Sequence, residues 1–183
     1  MEIVWYTAMS MDGRIASADG SLDFLDASLS DGSGNDCDQF IAGVDGVLVG
    51  ASTLRWLISH GHGWPNDDLP TWLASHDADL ADSIKPTRAP FRRVEGDLTP
   101  ALDEMKHNEH RRIWLAGGGD VAAQVLELDR LTEVIATIAP TALGLGPALF
   151  DGPALPLRSF ELVECAPAGA AAKLRWVRRQ HAA

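Results

Sequence analysis

The 183 residues carry 26 Asp and Glu against 15 Lys and Arg, a formal charge of -11 at pH 7, a field that repels a phosphate backbone and argues against general nucleic-acid binding. Hydrophobic residues make up 46% and charged residues 22%, enough apolar material for a sizeable core and no compositional sign of disorder, and the length asks for a single domain over residues 1–183. Only Cys37 and Cys165 are present, without C-x-x-C spacing, which suggests neither a disulfide framework nor a zinc site.

The N-terminus places acidic Glu2 where a signal peptide carries basic residues, and no apolar run approaches membrane-spanning length, so the chain is expected to be cytoplasmic with no membrane partner. Residues Ile3 to Ala8, rich in β-branched and aromatic types, predict a first strand, followed by Ser10-Met11-Asp12-Gly13-Arg14-Ile15-Ala16. From Asp19 to Gly34 the Asp, Ser and Gly content predicts a long surface loop, with Asn35 or Asp36 capping a helix from Asp36 to Ala42. Val44 to Gly50 reads as a fully buried strand, and Ser52 and Thr53 as caps of the helix behind it.

The stretch from His60 to Pro90 is interrupted by Pro65, Pro70, Pro86 and Pro90 and shows little periodicity. Arg92 to Gly96 suggests a short strand, and Thr99 to His107 a helix with Leu102 and Met105 inward. Arg112 to Ala116 predicts a strand, Gly117-Gly118-Gly119-Asp120 a turn, Val121 to Leu128 an amphipathic helix and Glu133 to Ile138 another strand. Phe160–Cys165 and Lys173–Arg178 close the chain as an antiparallel hairpin.

Glycines between a buried strand and a helix let a ligand approach the backbone, where free N–H groups and the helix dipole favour a phosphate. The triple glycine is the strongest such candidate; a tight turn without a ligand is the alternative. The Rossmann pattern fits poorly, because these glycines are contiguous and late in the chain, and no Walker Gly-Lys-Ser/Thr occurs. Gly50-Ala51-Ser52-Thr53 offers a second anion or ribose contact, with plain N-capping as its alternative. Ser10-Met11-Asp12-Gly13 puts a carboxylate just beyond the first strand, or is simply an Asp-Gly turn. His60 and His62 lack a third ligand for a metal site. Trp64 or Trp72 could wall a pocket, although core packing is the first explanation for the tryptophans, and Arg175, Arg178 and Arg179 read as a solvated strand face.

Taken together, Ser10 to Ala16, Val44 to Thr53, Ile113 to Gly119, and Leu131-Thr132-Glu133-Val134 followed by Ala139 to Pro147 resemble the dihydrofolate reductase-like family, in the form of the reductase domain of bacterial riboflavin biosynthesis. The resemblance implies a dihydrofolate reductase-like α/β fold: a central, mostly parallel sheet flanked by helices, with a C-terminal antiparallel hairpin. It also implies an NADPH-dependent oxidoreductase that transfers hydride to a small heterocycle of 5-amino-6-(5-phosphoribosylamino)uracil or pterin type, and a homodimer. By that resemblance Ala8 and Met9 line the nicotinamide, Gly50, Ser52 and Thr53 meet the adenosine side, and Gly117, Gly118, Gly119, Asp120 and Val121 hold the pyrophosphate. Asp12 faces the substrate, Asp36 stands where the family places a catalytic carboxylate, and Thr87-Arg88 falls where a hydroxyl and an Arg meet the 2′-phosphate. One departure stands out: Ala51 occupies the position after Gly50 where the family commonly has Arg, which brings NADH into consideration. The alternative from another class is a non-catalytic nucleotide-binding or regulatory module with the same fold.

Overall fold

The computed structural model describes residues 1–29, 34–84, 87–152, 155 and 157–179. Pro86 and the side chain of Asn35 lie outside what is described. Within these bounds the chain runs β1 (Glu2–Ser10), α1 (Asp23–Leu29), α2 (Gly34–Ile41), β2 (Gly46–Gly50), α3 (Ala51–Ser59), β3 (Thr71–Ala74), α4 (Ala78–Asp82) and β4 (Phe91–Val94). It continues with α5 (Thr99–His107), β5 (Arg112–Gly117), α6 (Gly119–Glu127), β6 (Glu133–Ala139), β7 (Phe160–Ala168) and β8 (Ala171–Arg178).

The eight strands form one sheet in the order β4-β3-β2-β5-β1-β6-β8-β7. All pairings from β4 across to β6 are parallel, and β6–β8 and β8–β7 are antiparallel. Each connection between neighbouring parallel strands must cross a face of the sheet, and helices make those crossings. Strand alternation then divides the core. Trp5, Leu48, Trp72, Ile113 and Leu115 point to the face covered by Leu102 and Met105 of α5 and Val121 and Val125 of α6. Val47, Val49 and Leu73 point to the other, under Leu54 of α3 and Leu80 of α4, while Val4 and Ile135 meet Phe40 of α2. Covered on both sides, β2 is a continuous buried run with no polar face. The repeat 121, 122, 125, 126 gives α6 one apolar stripe, and Ala101, Leu102 and Met105 do the same for α5, which starts with Pro100 in its first turn.

Three expectations change, and one stretch that carried no assigned elements acquires them. Asp19 to Gly34 is not one long loop, because Asp23–Leu29 is helical, with Asp23 and Asp26 in its first turn favouring the helix dipole. The proline-interrupted middle contains β3 and α4, elements of 4 and 5 residues, too short to show a period. Asp36 does not cap its helix, since α2 already begins at Gly34. Ser52 and Thr53 do not cap α3 either: Gly50 is the N-cap, no side chain caps it, and both hydroxyl residues lie in the first turn. The hairpin is present and longer than expected, turning at Gly169 with φ +60°.

Candidate functional site

Parallel pairing from β4 to β6 brings the carboxyl ends of these strands to one edge of the sheet, the usual place for a ligand crevice in an open α/β fold. A cavity of about 1270 Å³ opens there. It gathers Thr7 and Ala8 from β1, Ala51 to Thr53 after β2, Ala74 at the end of β3 with Ser75 to Asp77 after it, Val94, Gly96 and Asp97 at the end of β4, and Ala116 and Gly117 at the end of β5 with Gly118 to Val121 after it.

Two helices begin at this cavity with bare N-termini. The N-cap of α6 is Gly118 and that of α3 is Gly50; neither helix has a side-chain cap. The first-turn N–H groups of a helix have no intrahelical partner, so each end carries open donors and the positive end of the dipole. Gly117 has φ +131°, a conformation that L side chains rarely adopt, and the Gly117–Gly118 peptide is cis. The two helix starts pack directly together. A Cβ on Gly117 would stand 2.7 Å from Thr53 Oγ1, one on Gly118 3.0 Å from Ser52 Oγ, and one on Gly50 3.0 Å from the Gly118 nitrogen and 3.2 Å from the Gly117 oxygen. The absence of side chains at these glycines is what lets the two helix starts pack this closely.

Along the sheet edge the lining falls into two arms on either side of the cradle, one at the end of β1 and one at the ends of β3 and β4. One arm is mostly apolar, with Ile15, Ala16, Leu22, Leu25 and Pro147 beside Thr7 and Ala8. The other is polar, with Arg55, Ser75, His76, Asp77 and Asp97; Arg55 Nη2 donates to Asp77 Oδ2 at 3.0 Å. Trp5 and Trp56 also line the cavity, and the buried indole N–H of each lacks a partner within the described residues. Trp56 stacks on His60 with ring centroids 4.3 Å apart, and among the described residues no cluster of His, Cys, Asp or Glu could hold a metal ion.

The residues expected from the sequence divide sharply. Ala8, Ser52, Thr53, Gly117, Gly118, Gly119, Asp120 and Val121 line the cavity, and Gly50 packs under the glycine cradle. Met9, Asp12, Asp36 and Arg88 are not among the lining residues. Asp12 accepts hydrogen bonds from Ser10 Oγ at 2.5 Å and from the N–H groups of Leu143 and Gly144 at 3.0 and 2.7 Å. The Ser10 hydroxyl, then the two N–H groups, hold its carboxyl down to about 2, so at neutral pH it is an ionised clamp between the loop after β1 and residues 143–144.

Asp36 pairs with Lys173 Nζ at 3.0 Å, and that ammonium lies 5.5 Å over the ring of Tyr6, itself stacked on Phe40. Burial, followed by the neighbouring Cys37 and Asp36, pushes the Tyr6 phenol up to about 12. Arg88 corrects an expectation. It precedes β4 rather than ending a strand, and its guanidinium grips Asp67, with Nη2 2.6 Å from Oδ1. The Ala89 N–H donates to the Asp67 carbonyl and the Thr71 N–H to the Pro90 carbonyl at that same entry to β3 and β4, the end of the sheet remote from the cavity. Trp64 and Trp72 are core residues, while Trp5 and Trp56 wall the cavity. Arg175 and Arg178 form ion pairs with Glu133 and Asp129, so they are not merely a solvated face.

Arg55, Ser75, Asp77 and Asp97 are brought together by the fold. Only Arg55 carries a signal in the sequence, as a cation one turn after Ala51. The other three follow strands of four residues, which leave no periodic trace.

The sequence model of the RibD C-terminal domain matches residues 58–174, more than half of the chain. The chain belongs to the RibD C-terminal domain family. An uncharacterized protein of Bacillus subtilis (strain 168), YwjB, is 30% identical over 147 residues, which cover 80% of this chain and 81% of that one. A crystal structure from Shewanella sp. PV-4, provisionally assigned to riboflavin biosynthesis, matches with a TM-score of 0.82 and 22% identity over 98% of this chain and all of the other. A diaminohydroxyphosphoribosylaminopyrimidine deaminase/5-amino-6-(5-phosphoribosylamino)uracil reductase of Thermotoga maritima matches with a TM-score of 0.75 and 15% identity, covering 97% of this chain and 56% of that one. The mostly parallel sheet with its antiparallel C-terminal hairpin is thus the dihydrofolate reductase-like fold of the RibD C-terminal family.

Proposed function

We propose that this protein is a nicotinamide-dependent reductase, and the observation that carries the reading is the meeting of two uncapped helix N-termini over a glycine cradle at the carboxyl edge of the sheet. The residues present fit a dinucleotide: glycines without side chains bring two helix starts together at the cavity, and its walls offer backbone N–H groups and the hydroxyls of Ser52 and Thr53. In this reading the amides from Gly118 to Val121 hold the pyrophosphate against the net charge of -11. Ala8, with Thr7 beside it, provides the shelf for the nicotinamide. When bound, that ring supplies the hydride, and the chain supplies position and dielectric.

The apolar arm between Leu22, Leu25, Ile15 and Pro147 accepts the substrate ring and excludes water from it. Among the described lining residues Arg55 is the only Lys or Arg, and it lies in the other arm. That favours a small uncharged heterocycle, as a pterin ring or the base of a ribosylaminopyrimidine is, over one delivered by its phosphate. Asp12 and Asp36, each committed to partners away from the lining, act as positioning groups. The same observation favours a second reading, a nucleotide-binding module without turnover. Leu162 and Val163, about half exposed on the edge strand β7, fit the expected homodimer, which light scattering of the purified chain would test.

Calorimetric titration with NADH and NADPH, followed by cofactor oxidation with a panel of pterins, ribosylaminopyrimidines and quinones, separates these readings. Binding with oxidation supports the reductase; binding without it supports the module. No binding of either dinucleotide removes both.

A further inference from the structure

The polar arm of the cavity has an uneven charge. Its ionisable lining residues are Arg55, His76, Asp77 and Asp97. Arg55 is already bound to Asp77 at 3.0 Å, and Asp77 is fixed in place because it also caps α4, accepting the N–H of Asp79 at 3.1 Å. Asp97 accepts the N–H of Thr99 at 2.9 Å, and among the described residues no ion pair ties it to a basic group. Arg93, nearby but not lining, is held by Glu95 at 2.7 Å and the Ser75 carbonyl at 3.1 Å. At the start of α3, Ala51 presents only a methyl group to the cavity.

Resting on the reductase reading above, we propose that this arm receives an uncharged ribose diol and so selects NADH over NADPH, with Asp77 and Asp97 as the specificity-determining residues. The reacting ring and the substrate occupy the apolar arm, so the cradle directs the adenosine half of the dinucleotide into the polar one. A 2′-phosphate carries close to two negative charges at pH 7, by analogy with other phosphomonoesters. It would enter beside two carboxylates, one guanidinium that is already compensated, and His76, whose Nδ1 faces Glu95 Oε1 at 3.7 Å. To meet it, Arg55 must leave Asp77 and strand that carboxylate beside the new anion. A diol offers two O–H donors instead. An ionised carboxylate has about four acceptor sites, and Asp77 uses only part of them on Arg55 and Asp79. The inference concerns discrimination at the far end of the dinucleotide and leaves the hydride chemistry unchanged.

The test is calorimetric titration of the full chain with NADH and with NADPH, without substrate, for the wild type, Asp77→Asn and Arg55→Ala. Asn remains a good helix cap, so Asp77→Asn should fold, which circular dichroism verifies. The wild type is expected to bind NADH roughly tenfold or more tightly than NADPH, the scale of one charge-assisted interaction. Asp77→Asn, which releases Arg55 and removes a carboxylate, should narrow that ratio to about threefold or less, mainly by improving NADPH binding. Arg55→Ala should leave the ratio intact or widen it. The proposal is overturned by a wild-type ratio within about threefold, by tighter NADPH binding, or by an Arg55→Ala variant that loses roughly tenfold or more in NADPH affinity alone. Binding of neither dinucleotide overturns it together with the reading on which it rests.

Discussion

Gly118 shows how little space decides this site. A side chain there meets Ser52 Oγ at 3.0 Å and Asp120 Oδ1 at 3.3 Å, and it enters the volume assigned to the pyrophosphate. Gly118→Asp should therefore remove dinucleotide binding, a loss of roughly a hundredfold or more by calorimetry, because it adds both bulk and negative charge. A folded variant with unchanged affinity would sink the placement. Asp12 makes the opposite lesson: a carboxylate that reads as catalytic by position is consumed by structure. Its carboxyl is held near 2, below its unfolded value, so its contribution to stability is present above about pH 4 and is lost as the pH falls toward about 2. Asp12→Asn should lower the urea midpoint at pH 7, and the gap from wild type should close progressively between about pH 4 and pH 2. A gap that stays constant over that range would mean the clamp is not ionic.

Among the elements, the junction of β2 and α3 with β5 and α6 is the part whose geometry the site depends on. Gly50 sits where a Cβ would press on the backbone of Gly117 and Gly118, so Gly50→Ala should cost about 1–3 kcal/mol, the range for overpacking, and weaken dinucleotide binding in parallel. Urea denaturation and titration of the same sample check both effects. Leu102 of α5, fully buried in the core away from the cradle, provides the contrast: Leu102→Ala should cost about 2–5 kcal/mol with affinity preserved at temperatures where the variant stays folded. Arg88→Ala, at the opposite end of the sheet, should leave the affinity for either dinucleotide within about twofold. A larger loss would return Arg88 to the site.

For the whole molecule, charge and binding pull in opposite directions. The chain is strongly acidic, yet the reading gives it a ligand with two phosphates, held by backbone dipoles that carry no net charge. Screening the overall field should leave affinity flat or improve it as ionic strength rises from about 0.01 to 0.15 M, where the Debye length falls from about 30 to 8 Å. A steep loss of affinity with salt would point to pairing with fixed cations and count against the backbone cradle.

Much of this architecture was legible because it rests on local rules. The apolar run before Gly50, the stripe of α6 and the alternating C-terminal strands each declare themselves by period, and three consecutive glycines between a strand and a helix declare an open backbone. What the sequence determined by itself was therefore the separate strands, the apolar helix stripes and the glycine turn, since burial pattern and glycine stereochemistry are properties of short segments, while the fold class came through the resemblance of four separated segments to a known family. Tertiary structure decided the ends of the site. Asp12 was drawn to residues 143–144, Arg88 was placed at the wrong edge of the sheet for the cavity, and Arg55, Ser75, Asp77 and Asp97 were assembled from the ends of separate strands. Parallel strands of four residues carry no readable period, and ion pairs such as Arg55–Asp77 exist only once the sheet order has brought their elements together.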